Sequence, residues 1–321
     1  MRLSYALVAL SLCSLATPAP GKSTSYPAKP IRVIVPFTPG GGVDFNARLI
    51  AQKLTEYLGQ QTIVEHRPGA GTNIGNEFVA KSPPDGYTIL VNGGSMAINM
   101  SLYKNLNYDT LRDFVAITLF SESPNVLVVH PSLPVRTPKA LVALAKARPG
   151  AMNYSSAGSG STQHMCGELL NLRAGVKIVH VPFKGTAPSL TAVLGGEVEM
   201  TFANIPAIAA FVKTGRLRPL ASTGLKRATH MPELPTFKEL GIDVEATVRY
   251  GVFAPAATPR EIVNVLANAI VKATRSSDVR QRLLDYGAEP VGNTPEEAAK
   301  IMKEEVARWA EVVKVSGAKA D

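Results

Sequence analysis

Sulfur crosslinks, membrane-spanning segments and clustered charge are all missing from this chain, and each absence removes a class of protein. Only two of its 321 residues are cysteines, Cys13 and Cys166, and the first falls in an apolar leader. With that leader removed a single thiol remains, so an internal disulfide is excluded. Cys166, between Met165 and Gly167 in an expected helix, reads as a small buried hydrophobe rather than a nucleophile. No apolar run reaches the roughly 20 residues of a spanning helix. No basic run reaches five residues, although Lys and Arg total 34 against 25 acidic residues, which argues against a nucleic-acid arm. The formal net charge of +9 is spread along the sequence, a distribution that serves solubility or draws small anions into a cleft. The five histidines, His66, His130, His164, His180 and His230, show no metal-ligand spacing.

Catalytic signatures are missing too. Gly21-Lys22-Ser23-Thr24 imitates the end of a phosphate-binding loop, but its upstream glycine falls on Ala16. The run from Gly69 to Gly75 is one residue too long for the dinucleotide fingerprint. The serines around Gly158 do not make a nucleophile elbow, and nothing in the sequence supplies His164 with an orienting carboxylate. No cofactor is expected.

What is present is an α/β pattern. Arg2 precedes an apolar stretch from Leu3 to Leu15 and a small-residue exit, Ala16-Thr17-Pro18-Ala19-Pro20-Gly21, the three parts of a signal peptide covering 1–21. Leu12 stands where a lipoprotein signal before Cys13 wants Gly or Ala. Beyond it, β-branched runs such as Ile31–Val35, Thr62–Glu65 and Tyr87–Val91 alternate with helical stretches, which implies parallel βαβ units. Asp44 is expected to cap a helix ending at Leu58, and Thr137-Pro138 to open another. Two helices are expected to close the chain, each opened by a Thr-Pro-x-Glu box, at Thr258 and Thr294. Met302, Val306, Trp309 and Val313 then form one apolar packing stripe. The whole reads as two lobes, each a mostly parallel sheet flanked by helices: 22–126 with 248–321, and 127–247 inserted between them.

Three glycine-bearing turns each follow a strand and open a helix: Pro36 to Gly42, Ser155 to Ser161 and Pro182 to Thr186. A helix start offers unpaired N–H groups and the positive end of a dipole, so together they suggest a cleft built to hold an anion. Phe37, Thr38, Gly40 and Gly41 are expected on one wall, with Asp44 behind them. Ser155, Ser159, Gly160 and Ser161 are expected opposite, joined by Phe183, Lys184, Gly185 and Thr186. Ser95 and Asn99, after the third strand, are candidates from the first lobe.

Several stretches in order also resemble one family: Tyr26-Pro27-x-Lys29-Pro30-Ile31, Val35-Pro36-Phe37-x-Pro39-Gly40-Gly41-Gly42-x-Asp44, Pro68-Gly69-Ala70-Gly71-x-Asn73-Ile74-Gly75, Ser82-Pro83-Pro84-Asp85-Gly86-Tyr87, Tyr154-x-Ser156-x-Gly158-x-Gly160-Ser161 and His180-Val181-Pro182-Phe183-Lys184-Gly185. The chain resembles the Bug-type periplasmic solute receptors of tripartite tricarboxylate transporters. The resemblance implies a two-lobed type II periplasmic-binding-protein fold, a monomer that closes around a small organic acid anion and delivers it to membrane subunits. It places Phe37, Thr38, Gly40, Gly41 and Asp44 around one carboxyl group, with Ser159, Ser161 and Phe183–Thr186 at the other end. Three positions depart from the family pattern. Ala203-Asn204 replaces a common Asp-Asn, which disfavours an amino-acid ligand. Arg249 replaces a common tryptophan and is a candidate partner for a second carboxylate. Met96 replaces a common histidine, making that wall less polar. The departures favour a dicarboxylic or aromatic acid. Alternatives are a receptor that signals to a sensor kinase, or an enzyme acting on an organic acid.

Overall fold

A computed structural model of the chain describes residues 26–320; the expected signal peptide lies outside the described residues. Two sheets form. The first has six strands: β1 (Ile31–Val35), β2 (Thr62–His66), β3 (Thr88–Asn92), β4 (Phe114–Pro124), β10 (Thr247–Pro255) and β11 (Glu289–Pro290). Its order is β11-β4-β10-β3-β1-β2. The second has five: β5 (Val126–Val129), β6 (Asn153–Ser156), β7 (Val179–Pro182), β8 (Met200–Ala203) and β9 (Arg218–Ser222), in the order β7-β6-β8-β5-β9. The helices are α1 (Gly42–Leu58), α2 (Asn73–Ala80), α3 (Ser95–Leu102), α4 (Pro138–Ala147), α5 (Thr162–Ala174), α6 (Thr186–Leu194), α7 (Ile205–Lys213), α8 (Arg260–Arg275), α9 (Ser277–Asp285) and α10 (Pro295–Ser316).

The α/β architecture with two sheets is the expected one, but both sheets are mixed. In the first only β1–β2 and β1–β3 are parallel pairs; β10 runs antiparallel to both β3 and β4. In the second β5 runs antiparallel to both β8 and β9. The chain passes from one sheet to the other at Asn125 and returns into β10. Thr223, fully buried, ties the two connections together: its Oγ1 accepts the Asn125 N–H at 3.0 Å and donates to the Ala246 carbonyl at 2.7 Å.

Local chemistry accounts for most element ends. Gly59 stops α1 in the left-handed conformation. Thr137 caps α4 with Pro138 in its first turn, and Thr294 with Glu297 makes a reciprocal capping box on α10. Thr258 does not cap α8: its hydroxyl donates to the Pro255 carbonyl at 2.7 Å, and Pro259 stands at the helix entrance instead. Asp44 does not cap α1 either, because the helix begins two residues earlier at Gly42. Three helices, not two, close the chain. The last, α10, packs on α3 and β4 and reaches α5 of the other lobe, with Trp309 wholly buried.

Candidate functional site

Between the lobes lies a cavity whose walls are largely the starts of helices. Gly41, Gly42 and Val43 bring the start of α1; Gly94 and Ser95 that of α3; Ser161, Thr162 and Gln163 that of α5. Thr186 opens α6 and Asn204 precedes α7, so five helix N-termini meet here. Phe37, Thr38 and Ala157 come from the turns, Asn125, Val248 and Tyr250 from the connections between lobes. Among the described residues, no Asp, Glu, Lys, Arg or His side chain lines this chamber. What the wall offers is backbone N–H groups at helix starts and the positive ends of helix dipoles, with no side-chain cation among its lining residues.

The first glycine turn is held from behind by charge. Asp44, almost wholly buried, accepts the Gly40 N–H at 3.0 Å and Arg48 Nε at 3.1 Å, and its other oxygen meets His66 Nε2 at 2.8 Å. Burial alone would raise the Asp44 pKa, but these three partners outweigh it and hold the carboxyl below its ordinary range.

The second turn is held by neutral groups. Ser161 caps α5, its hydroxyl accepting the His164 N–H. Gln163 accepts the Ala157 N–H at 2.7 Å and donates to Thr186 Oγ1 at 3.2 Å, so it joins the second turn to the third. His164 Nδ1 accepts the Gly160 N–H at 3.3 Å, and its ring stacks on His180 at 4.0 Å. Burial, helped by the neighbouring His180, pushes the His164 pKa down to about 3, so the imidazole is neutral at pH 7. Glu168 Oε1 lies 3.9 Å from its other nitrogen and is itself raised by burial.

The lobes touch across the chamber. Thr38 Oγ1 donates to the Lys184 carbonyl at 3.0 Å, and Asn204 Nδ2 donates to the Tyr286 hydroxyl at 2.7 Å. Gly160 sits at φ +85°, where a Cβ would collide with Asn99 Oδ1 of the opposite lobe. Only glycine supplies both the left-handed backbone and that clearance.

Of the expected site residues, Phe37, Thr38, Gly41, Ser95, Ser161, Thr186 and Asn204 line the chamber. Ser159, Phe183 and Lys184 line an adjoining cavity. Gly40 and Asp44 stand behind the first turn. Ser155 is fully buried behind the second, its hydroxyl accepting from Ser189 at 2.8 Å. Gly185 packs against the Thr38 side chain. Asn99 is on α3 and bonds the Gly71 carbonyl at 2.8 Å, and Met96 is core, away from the chamber wall. Arg249 does not face the cleft. Side chains alternate along β10, so Val248 and Tyr250 meet the chamber while Arg249 turns to Glu305 at 2.7 Å and Glu122 at 3.5 Å.

Sequence reasoning missed Asn125, Thr162, Gln163, Val248 and Tyr250. Thr162 and Gln163 were signalled by following the cap Ser161; Tyr250 was signalled by alternation around Arg249. Asn125 had no signal beyond its place at the crossing. Among the described residues no cluster of His, Cys, Asp or Glu is arranged to hold a metal ion.

Residues 46–318 match the family described as tripartite tricarboxylate transporter family receptor. The protein BugT of Bordetella pertussis is 38% identical over 317 residues, covering 98% of this chain and 97% of that protein. An R. palustris protein solved with adipate is 36% identical, with a TM-score of 0.88 over 92% of this chain and all of that one. MatC from Rhodopseudomonas palustris with bound malate is 31% identical, with a TM-score of 0.85 over 90% of this chain and all of that one.

Proposed function

The chain belongs to the tripartite tricarboxylate transporter receptor family, and we propose that it captures a small organic carboxylate by closure of its lobes and delivers it to the membrane subunits of such a transporter. The observation that carries this reading is the meeting of five helix N-termini around a chamber with no charged side chain. Such a wall stabilises a carboxylate through N–H donors. It offers nothing to pair a ligand ammonium, and Ala203 supplies no carboxylate nearby, so dicarboxylic acids without an amino group are the favoured ligands. The adipate and malate bound by the two R. palustris proteins support that class.

Phe37 and Tyr250 supply the apolar part of the wall, while Thr38, Ser95, Ser161, Thr186 and Asn204 supply hydroxyl and amide partners. The site is a binding site. His164, beside the second turn, spends its Nδ1 lone pair on the Gly160 N–H and stays neutral. We place the mature protein in the periplasm, exported by residues 1–21.

The test is a thermal-shift panel on mature protein that has been unfolded and refolded to strip carried ligand. Ligand at about 100 times its dissociation constant stabilises a fold by about 2.7 kcal/mol. Dicarboxylates should produce that shift and aspartate or glutamate a smaller one. Silence across mono-, di- and tricarboxylates, from folded protein, would overturn the reading. Co-purification of the ligand-loaded receptor with transporter membrane subunits tests the delivery step.

A further inference from the structure

Arg249, turned away from the chamber, belongs to a chain of charges that the binding site does not use. Glu122 on β4 meets Arg249 Nε at 3.5 Å, Arg249 Nη1 donates to Glu305 on α10 at 2.7 Å, and the same Glu305 oxygen lies 3.5 Å from Arg308, three residues on. The Trp309 indole N–H donates to the second Glu305 oxygen at 2.9 Å, so the central carboxylate has a partner on each oxygen. Arg308 then reaches off its helix. Its Nη2 meets the Glu245 carboxylate at 2.6 Å and also donates to the Glu245 backbone carbonyl. Glu245 stands in the returning connection, and its neighbours are tied to the second lobe. The Ala246 N–H donates to the Thr223 carbonyl while the Thr223 hydroxyl donates back to the Ala246 carbonyl, and Asp243 pairs with Arg173 of α5 at 3.4 Å. The ion chain therefore begins in one lobe and ends in the other. The Glu305 and Glu245 side chains are only 12% and 21% exposed, so solvent and salt screen them less than a surface pair.

We propose that the Arg308–Glu245 pair is a latch at the crossings between the lobes, which holds part of the ligand-free receptor in the closed arrangement and so sets affinity from outside the site. The inference rests on the lobe-closure reading above and names what regulates it. Packing of α10 on α3 and β4 keeps Arg308 with the first lobe, while Glu245 travels with the second. The guanidinium grips a carboxylate and a main-chain carbonyl of one residue, which fixes direction as well as distance. The closed contacts across the chamber, from Thr38 to the Lys184 carbonyl and from Asn204 to Tyr286, coexist with the intact pair. Apparent affinity scales with the fraction of receptor already competent to bind, so a latch that raises the closed fraction tightens binding by the same factor. Arg249 and Trp309 act one step further back: they hold the Glu305 carboxylate, which steadies the Arg308 guanidinium toward Glu245. Arg249, Glu305, Arg308 and Glu245 do not line the chamber.

The experiment compares ligand-free wild type, Glu245→Gln and Arg308→Met by small-angle X-ray scattering, with urea unfolding to show that each is folded. Each is then titrated with adipate and with malate by calorimetry. Glu245→Gln keeps the side-chain shape and the backbone carbonyl and removes only the charge, so it carries the test if Arg308→Met does not fold. The expected result is that both ligand-free variants are more expanded than wild type and that all three reach one compact form with saturating diacid. Affinity should fall about five- to tenfold, and by the same factor for adipate and malate, because the latch touches neither. The double variant should lose no more than Arg308→Met alone. Superimposable ligand-free curves for wild type and Glu245→Gln would overturn the latch, and so would a loss confined to one of the two diacids, the mark of a ligand contact. If wild type binds neither acid, the carboxylate reading falls, while the ligand-free scattering still decides the latch.

Discussion

The first and second glycine turns face each other across one chamber and solve the same problem with opposite chemistry. Each presents the start of a helix to the cleft, and each is braced from behind. The first is braced by an ionised carboxylate, Asp44, shared among an amide, Arg48 and His66. The second is braced by the amide of Gln163 and the neutral imidazole of His164. The brace is therefore interchangeable provided that its charge is kept off the chamber wall. What both turns preserve is a surface of N–H donors with no side-chain charge competing for the ligand.

The largest effect should come from the crowded glycine. Gly160→Ala places a methyl group against Asn99 and blocks closure, so affinity should fall by about a hundredfold or more, while stability falls by only about 1–2 kcal/mol. Gly40→Ala is the matched control in the first turn. Gly40 also has a positive φ but nothing stands within 4 Å of its would-be Cβ. It should show a similar stability loss and an affinity loss below about tenfold. Titration calorimetry beside urea unfolding separates the two; equal affinity losses would remove the distinction between the turns.

Next come the braces. Asp44→Ala strands the Gly40 N–H, the Arg48 guanidinium and the His66 ring nitrogen, and should destabilise the fold by about 1–3 kcal/mol. Gln163→Ala removes two neutral hydrogen bonds and should cost about 1–2 kcal/mol in affinity for a dicarboxylate. Urea unfolding and calorimetry check the pair.

The two braces should also part company with pH. His164 has a folded pKa of about 3 against 6.5 when free. The stability it supports is complete above about pH 6.5 and is lost progressively as pH falls toward 3. Asp44 is held below its ordinary range, so its contribution is present above about pH 4 and lost only below that. Stability of wild type should thus decline between about pH 6 and 4 on account of the second turn. His164→Gln, which keeps an acceptor for Gly160, should flatten that decline. Asp44→Asn should leave its slope alone. A slope unchanged by His164→Gln would sink the neutral-brace account.

The smallest effect belongs to Arg48, whose side chain is 58% exposed. Arg48→Met should cost less than about 0.5 kcal/mol, and added salt should mask even that.

These regions also show what a sequence can reveal. Ile31–Val35 and Thr294-Pro295-x-Glu297 form their elements from local preference alone, and both stand as read. By contrast β4, the longest strand, is disguised by Thr118, Ser121 and Ser123. Those polar residues are buried because Asn293, Asn46 and Gly287, remote in sequence, satisfy them. Thr258 was misread for the same kind of reason, since a nearby carbonyl outcompetes the helix start for its hydroxyl. In the site, the three turns were visible because glycine and hydroxyl residues sit where strands give way to helices. The facing of β10 was not. Alternation separates Arg249 from Val248 and Tyr250, but only the packing of α10 on one face and the chamber on the other decides which set meets the ligand. The mixed sheets were equally hidden, because β5 and β10 reverse direction at the crossings between lobes, where no local signal marks strand sense.

The most direct test of the account is a calorimetric comparison of adipate with its uncharged diamide on refolded protein. A chamber walled by helix N-termini predicts that the diacid binds and closes the lobes, and that the diamide, of nearly the same shape, is weaker by at least about a hundredfold, the cost of about 2.7 kcal/mol in anion stabilisation. Equal binding of the two, or binding of neither by folded protein, would contradict it.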